Sequence, residues 1–141
     1  MTEKLVIEKV LGEAKGTDLE RDVKQNFKGE TTEVGIYLAM AAQAQREGYP
    51  EIAEVLKTLA WEEAEHAGSF AQLNGMIKDN LFDNLKEMLE GEVFANQNKR
   101  KASEKARELG LESVADYFNE SAKDEARHAK MLEGMLKRYS K

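Results

Sequence analysis

The sequence predicts an all-α, four-helix bundle. Turn signals along it are few and far apart, the clearest being Gly16-Thr17-Asp18, Gly48-Tyr49-Pro50, Lys78-Asp79-Asn80 and Gly110. The long segments between them are rich in Ala, Glu, Lys, Leu and Gln, all strong helix formers. Apolar residues within those segments recur at alternating steps of three and four, the repeat of a helix that buries one stripe. A single proline and 7% aromatic residues argue against a turn-rich β protein.

The elements follow in order. Residues 2–14 read as a short N-terminal helix, so that 1–17 form an extension and 18–141 the bundle domain. The first long helix is expected over about 18–47, with Asp18 as its N-cap. Its seam is Val23, Phe27, Val34, Tyr37, Ala41 and Ala44. The second is expected over about 50–77, with Pro50 in its first turn and Ile52, Leu56, Leu59, Phe70, Leu73 and Ile77 on its seam. The third, over about 81–109, has a weaker seam of Leu85, Met88, Ala95, Ala102, Ala106 and Leu109, interrupted by Lys99. The fourth, over about 111–139, carries Leu111, Val114, Phe118, Leu132, Met135 and Tyr139. Four helices with such stripes fit a four-helix bundle.

Composition narrows the function. The 141 residues include no cysteine, which excludes thiolate catalysis, cysteine-ligated zinc and iron–sulfur centres within this sequence. A net charge of −6 with scattered basic residues offers no footprint for nucleic acid. No apolar run approaches the roughly 18–20 residues that span a bilayer. The start, Met1-Thr2-Glu3-Lys4, is not a secretory signal. The expectation is a soluble cytoplasmic protein with neither a membrane nor a nucleic-acid partner.

Each seam skips a step, and the skipped positions are polar: Glu30, Glu63 and His66, Glu92, and Glu125 and His128. A buried carboxylate without a partner costs several kcal/mol, and four together repel one another. Two metal ions among them would remove that cost. Glu63-Ala64-Glu65-His66 and Glu125-Ala126-Arg127-His128 are both Glu-x-x-His. At i and i+3 on a helix, both side chains face the same way. Two such motifs plus one glutamate from each remaining helix form the inward-pointing ligand set of a carboxylate-bridged two-metal bundle. Adding 62 to Glu30, Glu63 and His66 gives Glu92, Glu125 and His128, so the two halves read as copies of one helical hairpin.

Four carboxylates and two imidazoles suit iron, with manganese or a mixed pair as alternatives. Glu63 and Glu125 are expected to bridge, Glu30 and Glu92 to bind terminally, and His66 and His128 to cap one ion each. Glu33, Glu62, Glu65, Glu87 and Glu90 fall off the seams and read as solvated, although Glu33 rivals Glu30. Tyr37, two turns beyond Glu30, is either a packed tyrosine or a catalytic hydroxyl. Trp61 reads as packing rather than electron relay. Asp124 and Arg127 either orient a ligand imidazole across helices or form a surface pair.

Phe27-Lys28-Gly29-Glu30, Trp61-Glu62-Glu63-Ala64-Glu65-His66, Leu89-Glu90-Gly91-Glu92 and Asp124-Glu125-Ala126-Arg127-His128 resemble the diiron domain of rubrerythrins, in the ferritin-like superfamily. The resemblance covers about residues 18–140. The run Gly29–Gly35, the turn Arg46–Glu54 and the closing Leu136-Lys137-Arg138-Tyr139 look most like reverse rubrerythrins, in which a rubredoxin domain precedes the diiron domain. Two departures stand out. Rubrerythrins proper carry a further glutamate three residues after the counterpart of Glu92; here that residue is Ala95, so six ligands are expected. The four cysteines of a rubredoxin iron site are absent.

The resemblance implies a ferritin-like bundle that holds two iron ions and reduces hydrogen peroxide in oxidative-stress defence. The electrons would come from a separate, rubredoxin-type donor. Rival readings are reaction with oxygen, a ferroxidase or iron-storage role at the same site, a metal-bound sensor, and a metal-free bundle. In ferritin-like bundles the second and third helices run parallel, so their link must travel back along the bundle. It would have to cross roughly 35 Å, while residues 78–83 reach at most about 21 Å. A domain-swapped homodimer is therefore expected, the first hairpin of one chain meeting the second hairpin of another.

Overall fold

The computed structural model describes residues 10–140, which form four helices and, among the described residues, no strand. They are α1 Glu20–Arg46, α2 Pro50–Leu73, α3 Leu81–Glu108 and α4 Glu112–Tyr139. The chain divides into two compact units, Met1–Asp79 and Asn80–Lys141. Each is a hairpin, α1 packed on α2 in the first and α3 on α4 in the second. The all-α, ferritin-like expectation holds. No helix among the described residues is long and apolar enough to cross a membrane.

In the first unit α1 begins after Leu19, and Asp18 does not cap it. No side chain caps it; the Thr17 hydroxyl holds the turn ahead of it, accepting from the Leu19 amide at 3.2 Å and donating to the Ala14 carbonyl at 2.6 Å. At the other end, Gly48 takes the left-handed conformation (φ 84°) and the Tyr49 amide donates to Ala44 O at 2.8 Å. This closes the last turn of α1 and delivers Pro50 to the first turn of α2, as expected.

α2 stops at Leu73, four residues short of the expected end. Gly75 (φ 68°) turns the chain there, and the Met76 amide donates back to Ala71 O at 3.0 Å. Of the short helix expected over 2–14, residues 2–9 lie outside the described residues, and residues 11–16 are turns. Gly12 and Gly16, at φ 72° and 78°, break any helix there. The Gly12 and Ala14 amides donate instead to Gln72 O and Leu73 O, satisfying carbonyls at the end of α2.

In the second unit Asn80 caps α3, its side-chain oxygen accepting from the Phe82 and Asp83 amides at 2.9 and 3.2 Å. Gly110 (φ 71°) makes the turn to α4, and the Leu111 amide donates to Ala106 O.

Alanines line both hairpin seams. Ala41, Ala44, Ala53 and Ala60 are buried in the first unit, and Ala106, Ala115, Ala122 and Ser103 in the second. The 62-residue offset superposes them: Ala41 on Ser103, Ala44 on Ala106, Ala53 on Ala115, Ala60 on Ala122. Small side chains let paired helices approach closely along that line. Several large seam residues are exposed instead. Ile52, Ile77, Leu111 and Val114 are open to solvent. Trp61, expected to pack, is 68% exposed. No large side chain is fully buried among the described residues, so each hairpin still has an apolar face to cover.

Candidate metal centre

Three of the expected ligands converge in each hairpin. Glu30 comes from α1 and Glu63 and His66 from α2. Glu92 comes from α3 and Glu125 and His128 from α4. In each trio, one ligand atom per residue lies within 4.8 Å of the others. His66 Nδ1 sits 3.0 Å from Glu63 Oε2 and 3.7 Å from Glu30 Oε1. His128 Nδ1 sits 3.2 Å from Glu125 Oε2 and 3.5 Å from Glu92 Oε2. Nδ1 therefore faces the carboxylates in both units and is the ring nitrogen placed to ligate.

The carboxylates are sheltered, at 15–18% side-chain exposure, while the two imidazoles are 59% and 42% exposed. Glu33, Glu62, Glu65, Glu87 and Glu90 are all exposed. Asp124 and Arg127 bond to each other at 2.9 Å on the surface, not across to an imidazole. Tyr37 is half-buried against the Ala41–Leu56 cluster.

The electrostatics of the two trios run in parallel. The Glu63 carboxylate beside Glu30, then burial, raises Glu30 above the ordinary carboxylate range. Glu63 is lowered by the same bond from Glu30 and by His66, and His66 is raised, chiefly by Glu63. The second trio repeats this. Glu92 is raised by its bond with Glu125 and by burial, and Glu125 is lowered to about 2 by Glu92 and then by Lys99. Two carboxylates in contact repel when both are ionised, which raises one member of each pair and favours a cation beside them. A metal ion would supply that cation, and the donor set of hard oxygens and imidazole suits it.

A pH prediction follows. In the metal-free protein the raised groups Glu30, Glu92 and His66 bind more protons folded than unfolded. That stabilisation is full at or below their ordinary values and is lost as pH rises through the raised ones. The lowered Glu63 and Glu125 contribute fully above about pH 4.5 and lose their contribution only as pH falls. Between pH 5 and 8, therefore, the two lowered groups contribute a constant amount, and the three raised groups all act in one direction. The metal-free protein is expected to lose thermal stability across that window. The metal-loaded protein should gain relative to it, because ligation releases those protons. Paired melting curves, with and without Mn(II), check this; parallel pH profiles would contradict it.

One residue near the ligands was noted in the sequence only as an interruption of a seam. Lys99, seven residues after Glu92 on α3, forms an ion pair with Glu125 Oε1 and donates to Ser121 Oγ at 2.7 Å. A cation seven residues beyond a ligand, on the same stripe, was the available signal.

Paired helical hairpins with a Glu and a Glu-x-x-His each define an all-α protein of the ferritin-like carboxylate-metal class. A sequence profile of the rubrerythrin family, described as rubrerythrin, matches residues 23–136. The chain belongs to the rubrerythrin family and is a diiron domain of it, a family of oxidoreductases. It is 46% identical over 134 residues to reverse rubrerythrin-1 of Clostridium acetobutylicum, covering 93% of this chain and 74% of that one. It is 30% identical over 135 residues to a rubrerythrin of Porphyromonas gingivalis, covering 86% and 68%. It is 57% identical over 137 residues to an uncharacterized protein of Methanocaldococcus jannaschii, covering 97% of each.

Proposed function

We propose that this protein reduces hydrogen peroxide to water with electrons from a separate rubredoxin-type donor, in defence against oxidative stress in the cytoplasm. The observation that carries the reading is the pair of matched Glu, Glu, His trios with Nδ1 turned inward. Two iron ions, when bound, supply two electrons to the O–O bond, in the balance H2O2 + 2 e− + 2 H+ → 2 H2O. Glu63 and Glu125, each in contact with its histidine, would serve as the bridging carboxylates. Glu30 and Glu92 would serve as terminal ligands. His66 and His128 would ligate through Nδ1. Tyr37 Oη is the proton donor assigned to the departing oxygen. The similarity to a reverse rubrerythrin supports the peroxide reading over iron storage.

The unit that performs this reaction is a homodimer with exchanged hairpins. From Glu63 to the end of α2 is about 15 Å, and from the start of α3 to Glu92 about 16 Å. Residues 74–76 fold back on α2. Only 77–80 remain to extend, and they reach roughly 17 Å against about 31 Å needed for parallel α2 and α3 in one bundle. The exposed apolar faces of the hairpins are the surfaces such an exchange would cover.

The test is stopped-flow mixing of the anaerobically reduced, iron-loaded protein. Oxidation by peroxide is expected to outpace oxidation by oxygen by at least about tenfold, a barrier difference of about 1.4 kcal/mol. Inertness to peroxide would end the peroxidase reading. Fast oxygen consumption with retained ferric mineral would favour a ferroxidase.

A further inference from the structure

The two hairpins match at their ligands but not beside them. At the position seven residues after the terminal glutamate, the first hairpin has Tyr37 and the second has Lys99, related by the same offset of 62. One turn before the bridging glutamate, the first hairpin has Leu59 and the second has Ser121. These two differences act together. Ser121 Oγ holds Lys99 Nζ at 2.7 Å, and Nζ in turn meets Glu125 Oε1. Glu125 Oε2 faces His128 Nδ1 at 3.2 Å. Glu125 therefore has one oxygen committed to an internal ammonium and one turned to its histidine. The described contacts of Glu63 include no ammonium: its Oε2 faces His66 at 3.0 Å.

We propose that Lys99 is a positioning residue that makes the two metal positions unequal. The position served by Glu30 and His66 fills first. The position served by Glu92 and His128, on the ammonium's own hairpin, fills second. The inference rests on the reading that these six residues hold two ions. Its physical basis is charge. A fixed ammonium on a ligand oxygen already neutralises that carboxylate and repels an arriving dication, whereas a phenol at the matching place carries no charge. Lys99 also holds Glu125 by one oxygen, in contact with the ammonium. Ser121 adds direction: one helical turn from Glu125 on α4, it gives the ammonium a second anchor on the same helix.

The experiment is an anaerobic titration of the metal-free, full-length protein with Mn(II), the free ion being counted by electron paramagnetic resonance. Glu30→Gln and Glu92→Gln assign the steps. The wild type is expected to bind two ions per chain, with Glu30→Gln removing the tighter step and Glu92→Gln the weaker one. Lys99→Met is expected to tighten the weaker step by about tenfold and to leave the tighter step within about twofold. Lys99→Gln, which keeps a polar partner for Ser121 but no charge, should do the same, and it carries the comparison if the methionine variant misfolds. Two steps whose ratio is unchanged in both variants would overturn the role of Lys99 while leaving the metal centre standing. The assignment would also fall if Glu92→Gln removed the tighter step. Binding of no Mn(II) by the wild type would overturn the metal centre itself.

Discussion

Glu125→Ala is expected to abolish the iron centre while leaving the helices intact. Glu125, the bridging carboxylate in the proposed centre, touches His128, Lys99 and Glu92 at once. Loss of an outer hydrogen-bond partner costs roughly 10–100-fold in metal affinity or activity. Loss of a bridging ligand should exceed that, so peroxide turnover is expected to fall by on the order of 100-fold or more. Iron content should drop below half of the wild-type value. The metal-free fold gives a contrasting expectation. Removing Glu125 relieves its contact with Glu92, and Lys99, with a 30% exposed side chain, can turn to water. The apo variant should therefore melt within a few degrees of apo wild type. Iron analysis, peroxide consumption and circular dichroism on one preparation check all three. Full iron loading with normal turnover would remove Glu125 from the centre.

Two inactive variants are expected to restore activity when mixed. Glu30→Ala with Glu63→Ala disables the first hairpin, and Glu92→Ala with Glu125→Ala disables the second. In a dimer with exchanged hairpins, a mixed pair has one site built from both damaged hairpins and one built from both intact hairpins. Random reassortment makes about half of the dimers mixed, so about a quarter of wild-type sites should return. Co-expression or unfolding and refolding together would supply the reassortment. If one chain completed its own site, no mixture would recover anything above the two parents. The outcome thus separates the two arrangements without depending on the rate of either variant.

Much of the candidate metal centre was legible in the sequence because its signal is local. Glu63 and His66 share a helix turn by spacing alone, as do Glu125 and His128, and the offset of 62 ties each pair to its glutamate. The structure brings together the trios that this spacing implies. Punctuation was less legible. Gly75 carries the α2 stop that the apolar Ile77 obscured, because a left-handed glycine followed by a bond back to Ala71 O outweighs an apolar residue in register. Asp18 does not cap α1 because the helix starts only after Leu19, and no side chain caps it. Within each hairpin, periodicity finds the apolar stripe, but not which of two adjacent residues on it sits at the closest approach of the helices.

By itself, then, the sequence determined the helical class, the four long segments, the repeat and the six ligand candidates. All of these depend on spacing along one helix or on a count along the chain. Only the tertiary structure decided that alanines line each hairpin, that Nδ1 is the ring nitrogen turned toward the carboxylates, and that Asp124 and Arg127 spend their charges on each other. It alone placed Lys99 on Glu125. Those outcomes depend on which face of one helix meets which face of another. Residues 26 positions apart, such as Lys99 and Glu125, become neighbours only once α3 and α4 have packed.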